Sequence, residues 1–86
     1  MLSTAVLVRS HRRVVLQLEE GIPGLHTRAA LRALEYATLA LLLRSKQGDA
    51  EATRHVEWID RGIVVWKSFH DNDLPESFPE GLRGSR

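Results

Sequence analysis

One segment limits the possible folds of this chain more than any other: residues 28–47 contain neither glycine nor proline and are rich in Ala, Leu and Arg. These residue types are among the best helix formers, so the segment predicts a helix, with Thr27 as its N-cap. From Tyr36 to Leu43 every residue except Thr38 is apolar. A helix that is apolar on all sides is normally buried on all sides. An 86-residue chain has few other elements to cover it, so we expect part of this helix to contact another chain. The alternative is a monomer in which the first helix or the tail segment of residues 74–82 folds over this surface.

A tight turn follows this helix at Gly48 and Asp49. Glycine suits the left-handed position after a helix, and aspartate is a strong N-cap for the next one. The next helix is predicted over residues 50–69, and two helices joined so closely should pack as an antiparallel hairpin. One apolar stripe marks the buried side of this helix: Ala52, Val56, Ile59, Ile63 and Trp66. The residues after Gly62 would also fit a short buried strand.

The N-terminal segment has two interpretations. Apolar residues recur at steps of three and four from Ser3 to Glu20, which predicts a helix that ends at Gly21 and Pro23. Ser3 or Thr4 can act as its N-cap. The alternative is a β-hairpin of residues 5–9 and 14–19, because valine favours strands. The expected fold class is therefore all-α, a small three-helix domain with an antiparallel helical hairpin, and the alternative is α+β with an N-terminal β-hairpin.

The composition predicts a single helical domain over residues 1–70 and a flexible or draped tail over residues 71–86, where Pro, Gly and acidic residues dominate. The longest uncharged apolar stretch is far shorter than the ~20 residues that cross a bilayer. No basic start precedes an apolar run, as a secretory signal requires. We therefore expect a cytoplasmic protein without a membrane partner. The excess of arginine over lysine is typical of GC-rich bacterial coding sequences.

Charge and motifs argue against an enzyme. Twelve basic and eleven acidic side chains leave a net charge of +1, and there is no cysteine. None of the patterns of a serine nucleophile, a phosphate-binding loop or a histidine metal site is present. We expect no catalytic residue, cofactor or metal, and we interpret His11, on the apolar stripe of the first helix, as a histidine at the boundary of the core.

The surplus of apolar surface predicts a protein-interaction module: a self-associating adaptor, a small chaperone or an inhibitor. The hairpin carries a second apolar face beside Gly62, and patches of this kind commonly mark interfaces. The expected partner is another protein chain, in a homo-oligomer or a hetero-complex. The candidate interface residues are Tyr36, Leu39, Leu43, Trp58, Val65, Trp66 and Phe69.

The alternative function is a small dimeric nucleic-acid-binding regulator. Arg9, Arg12 and Arg13 form a local basic cluster that could contact phosphates. Acidic residues on the third predicted helix would repel a phosphate backbone, which makes nucleic acid the second choice.

Overall fold

The computed structural model describes residues 2–21 and 26–70, and these form four helices. They are α1 (Thr4–Glu20), α2 (Thr27–Lys46), α3 (Ala50–Arg54) and α4 (Val56–His70). The described residues contain no strand, so the all-α prediction is confirmed and the alternative of an N-terminal β-hairpin is wrong. The predicted stop at Pro23 and the predicted tail over residues 71–86 lie outside the described residues.

The ends of α1 follow the sequence signals. The Ser3 hydroxyl accepts a hydrogen bond from the Val6 backbone N–H at 3.2 Å, as an N-cap does. Gly21 takes the left-handed conformation, with φ of 64°, and its N–H donates to the Gln17 carbonyl. The start of α2 departs from the prediction, because Thr27 is already helical and the N-cap position falls on His26, which makes no side-chain capping bond.

The turn after α2 forms as predicted, and its residues also hydrogen-bond to the start of α1. Gly48 has a φ of 95°, and the Asp49 carboxylate accepts from the N–H groups at the start of α3. The same carboxylate accepts from the Thr4 hydroxyl at 2.5 Å, and Arg44 donates to Thr4 at 3.0 Å and to the Leu2 carbonyl. The hydrogen bond from Thr4 lowers the pKa of Asp49 most, and the backbone N–H groups of α3 and the charge of Arg44 lower it further. The start of α1 is therefore fixed against the turn between α2 and α3.

The predicted third helix is interrupted at His55, which corrects the expected count of three helices and the expected apolar stripe. His55 has φ −88° and ψ 8°, and its N–H donates to the Ala52 carbonyl three residues back. The short turn changes which side chains face inward. His55 is buried, whereas Val56, which the unbroken helical stripe placed in the core, is 50% exposed.

The hairpin is antiparallel, as predicted. Ser45 and Thr53 share a hydrogen bond of 2.9 Å close to the turn. Farther along, the Trp66 indole N–H donates to the Glu35 carboxylate at 2.8 Å. The helix α1 packs against both α2 and α4. The centre of the core is formed by the most fully buried apolar side chains: Leu7, Val15, Leu34, Leu41, Ile59 and Trp66.

Gly62 lies where α4 packs closely against α1 and α2. A Cβ atom at this position would meet Nε2 of His11 and Cδ1 of Leu34, each at 3.1 Å, and Cγ2 of Val15 at 3.2 Å. The residue is helical, so the strand alternative for the residues after Gly62 is wrong. The glycine serves close packing of α4 on α1 and α2 rather than an unusual backbone conformation.

Candidate protein-interaction surface

The helix α2 has two apolar faces, and the described part of the chain covers only one of them. The inner face is buried, and Leu34 and Leu41 are fully inaccessible. On the opposite side, Tyr36 is 63% exposed and Leu43 is 56% exposed. Leu39 and Ala40 lie between them and are half-buried. We name the surface formed by Tyr36, Leu39, Ala40 and Leu43 the α2 outer face.

The α2 outer face has the spacing of a helix-packing seam. Its residues follow one another at steps of three, one and three, so they share a strip about 100° wide along two helical turns. A strip of this width is what an amphipathic helix normally turns toward a neighbouring element. The strip lies opposite the inner face, and the helices of the described residues leave Tyr36 and Leu43 exposed on it.

Positive charge flanks the α2 outer face at both ends. Arg32 lies one turn before Tyr36, and Lys46 lies three residues after Leu43; both are exposed. Neither side chain has an ion-pair or hydrogen-bond partner in the chain as described. The single acidic residue of α2 is Glu35, whose carboxylate accepts the Trp66 indole N–H.

The structure separates the other predicted interface residues. Trp66 is fully buried and Val65 nearly so, and both belong to the core. In this structure they cannot contribute to an exposed surface. Phe69, near the end of α4, is 45% exposed.

Trp58 is half-buried, and two guanidinium groups of the same chain lie over its ring. The guanidinium of Arg12 lies 5.4 Å from the centre of the indole ring, and that of Arg61 lies 4.6 Å away. Arg61 is held in place by two hydrogen bonds of 2.7 Å to the Glu19 carboxylate, which lower the pKa of Glu19. Trp58 therefore presents a cation–π cluster at the surface rather than a free apolar face.

A buried pair of histidines lies beneath Trp58. Nδ1 of His11 and Nε2 of His55 are 2.9 Å apart, and the His55 ring stacks on Trp58 with centroids 6.3 Å apart. Burial, together with a smaller contribution from the neighbouring His55, lowers the pKa of His11 to about 4. Burial also lowers the pKa of His55, with a smaller contribution from Arg12. Both rings are therefore neutral at pH 7, and one donates while the other accepts.

The prediction for His11 as a boundary histidine missed the depth of its burial and its partner. The side chain is fully inaccessible, and its Nε2 has no hydrogen-bond partner in the described part of the chain. The apolar stripe of α1 pointed to the position of His11. Nothing in the sequence pointed to His55, because its burial depends on the break between α3 and α4.

The basic cluster predicted on α1 lies on one exposed surface. Arg9, Arg12 and Arg13 line a shallow depression of about 400 Å³ together with Leu16, Gln17 and Glu20. A neighbouring depression of about 450 Å³ between α1 and α2 is lined by Arg13 and His26, among others. The cluster is thus intact, although Arg12 also covers Trp58.

Over residues 2–21 and 26–70, no group of three or more His, Asp or Glu residues could hold a metal ion. In the same part of the chain, no helix has the length and apolar character needed to cross a membrane.

Comparisons with models of known protein families, with curated proteins and with solved structures find no match. The class that the fold defines is a small all-α domain, in which the described residues leave Tyr36 and Leu43 of α2 exposed.

Proposed function

We propose that this chain is a non-enzymatic protein-interaction module, of the adaptor, small chaperone or inhibitor type, which binds another protein chain through the α2 outer face. The observation that carries the proposal is the exposure of Tyr36 and Leu43 opposite the fully buried Leu34 and Leu41. Apolar patches of this kind commonly mark protein interfaces.

The free energy available from burying Tyr36 and Leu43 favours a contact surface over a chance exposure. Fully burying one Leu-sized side chain contributes about 1.5–3 kcal/mol. The more than half-exposed side chains of Tyr36 and Leu43 would therefore each contribute about 1 kcal/mol or more when a partner covers them. Tyrosine is also enriched among the residues that contribute most to binding, because its ring packs while its hydroxyl stays hydrated.

Site-specific photo-crosslinking tests the proposal. A photoreactive phenylalanine analogue replaces Tyr36 in the full chain, expressed in its native host, and the matched control carries the analogue at Glu57, which is exposed on α4. We expect a discrete adduct from position 36 that is absent from position 57 and is lost when Leu39 and Leu43 are both changed to Ser. Light scattering then distinguishes a second copy of the chain from another protein. A chain that stays monomeric and gives no adduct from position 36 would rule the proposal out.

A second candidate function rests on the basic surface of α1. Arg9, Arg12 and Arg13 are all exposed and line one depression, which supports contact with a nucleic-acid backbone. Binding of this kind weakens steeply as salt is added. The test is binding to a DNA or RNA duplex over a range of salt, with Arg9 and Arg13 changed to Gln. Absence of salt-dependent binding would remove this candidate.

A further inference from the structure

We infer that the partner of the α2 outer face is an acidic amphipathic helix, with an apolar seam and a carboxylate at each end, rather than a second copy of this chain. This inference rests on the proposed function and narrows it to a class of partner. Three observations carry it: the seam spacing, the charges at both ends of the seam, and the charge clash that self-pairing would create.

The apolar contacts favour a helix as the partner. Tyr36, Leu39 and Leu43 are separated by three and four residues, the spacing with which two helices interlock along a shared seam. The seam covers seven residue steps of α2, which at 1.5 Å per residue is about 10 Å. Two turns of a partner helix cover this length.

A positively charged side chain lies beyond each end of the apolar seam. Arg32 and Lys46 are fourteen positions apart, which corresponds to about 21 Å along the helix axis. Arg28 adds another exposed positive charge one turn before Arg32. The Glu35 carboxylate keeps its negative charge, but it is half-buried and accepts the Trp66 indole N–H. The exposed charged side chains of α2 at the ends of the seam, Arg28, Arg32 and Lys46, are all positive. A partner with carboxylates at a matching separation would pair with both ends.

Self-pairing through the same seam brings like charges together. In an antiparallel pair of α2 helices centred on Leu39, Arg32 of each copy faces Lys46 of the other. In a parallel pair, each of these residues faces its own counterpart. Either arrangement places two positive charges across the interface at both ends, which is unfavourable and disfavours that pairing.

Two synthetic peptides test the inference against the full chain. Both are helical, about eighteen residues long, with leucine at the sixth, ninth and thirteenth positions to match the seam. One carries glutamate at the second and sixteenth positions, and the other carries lysine there. We expect the glutamate peptide to bind at least about tenfold more tightly at low salt, with the difference shrinking as salt screens the charges. Fluorescence anisotropy measures both affinities.

Charge-reversed variants give the matched controls. The double variant R32E/K46E is expected to prefer the lysine peptide, and Leu39→Ser is expected to weaken both peptides. The single variant R32E gives the two ends opposite charges, so it is expected to self-associate more strongly than the wild-type chain in light scattering. Arg32 and Lys46 are exposed, so these changes should leave the thermal unfolding midpoint nearly unchanged.

The outcomes separate failure of this inference from failure of the proposed function. Equal binding of both peptides, or preference for the lysine peptide, overturns the inference that the partner is acidic. If Leu39→Ser still weakens binding in that case, the α2 outer face is kept as the binding surface. A wild-type dimer that Leu39→Ser dissociates also overturns the inference and retains the surface. If neither peptide binds and the chain stays monomeric, the inference is overturned, and the crosslinking experiment then decides the proposed function.

Discussion

Acidification is expected to destabilise this domain through the buried histidine pair. The pKa of His11 falls from an ordinary value of 6.5 to about 4 in the folded chain. Below pH 6.5 the unfolded chain binds a proton at this position, whereas the folded chain does not. The free energy of unfolding therefore decreases as the pH is lowered, until the folded ring is itself protonated near pH 4. Above pH 6.5 the His11 ring is neutral in the folded and the unfolded chain, so the free energy of unfolding has its full value there.

The magnitude follows from the two pKa values. Between about pH 7.5 and about pH 5, a single group with these values removes about 2 kcal/mol from the free energy of unfolding. The pKa of His55 is lowered as well, so it adds to the loss in the same direction. The carboxylates of Glu19 and Asp49 also have lowered pKa values, with ordinary values of 4.5 and 3.8. Their stabilising effect is lost mainly below this pH range.

Urea unfolding followed by tryptophan fluorescence measures this loss at the two pH values. In His11→Gln, which can still hydrogen-bond to His55, the loss should shrink by about 2 kcal/mol. The matched control is His26→Gln, at an exposed histidine, and it should keep the full loss. An equal free energy of unfolding at both pH values, or a full loss retained in His11→Gln, would refute the assignment of a neutral buried His11.

Three further predictions concern packing. Gly62→Ala should lower the free energy of unfolding by about 1–2 kcal/mol, because its Cβ would meet three buried side chains at 3.1–3.2 Å; a gain in stability in urea unfolding would contradict this. Thr38→Val should raise the melting temperature, since the buried Thr38 hydroxyl has no partner in the part of the chain that is described, and removing it relieves about 1 kcal/mol; calorimetry checks the sign. Trp66→Ala should cost about 3–5 kcal/mol by urea unfolding, because the ring is fully buried, and a cost below about 1 kcal/mol would show that the ring is not part of the core.

The proposed interface was only partly predictable from the sequence. The apolar circumference of residues 36–43 indicated a face that the domain does not cover, and the exposure of Tyr36 and Leu43 agrees with that expectation. The sequence placed Trp66 on the buried stripe of its helix, and naming it as an interface residue together with Trp58 was wrong for this structure. Helix periodicity gives a direction around the axis but no identity for the neighbour. Trp66 faces the core and Glu35, whereas Trp58 is covered by two guanidinium groups.

The sequence by itself determined the local structure where short-range chemistry decides it. Ser3 and Asp49 cap helices, and Gly21 and Gly48 adopt positive φ after helices end, because these interactions involve only neighbouring backbone groups. The Ala- and Leu-rich composition of α2 likewise predicted its helix to within a residue at each end.

Tertiary structure alone decided the break at His55 and the contacts that depend on it. An unbroken helix would turn Val56 inward, whereas the short turn buries His55 within hydrogen-bond distance of His11, forty-four positions earlier in the chain. The close approach at Gly62 has the same origin, since it depends on where α1 and α2 lie relative to α4. Contacts between distant segments depend on how the helices pack together. A local pattern of residues does not specify which distant residues will meet.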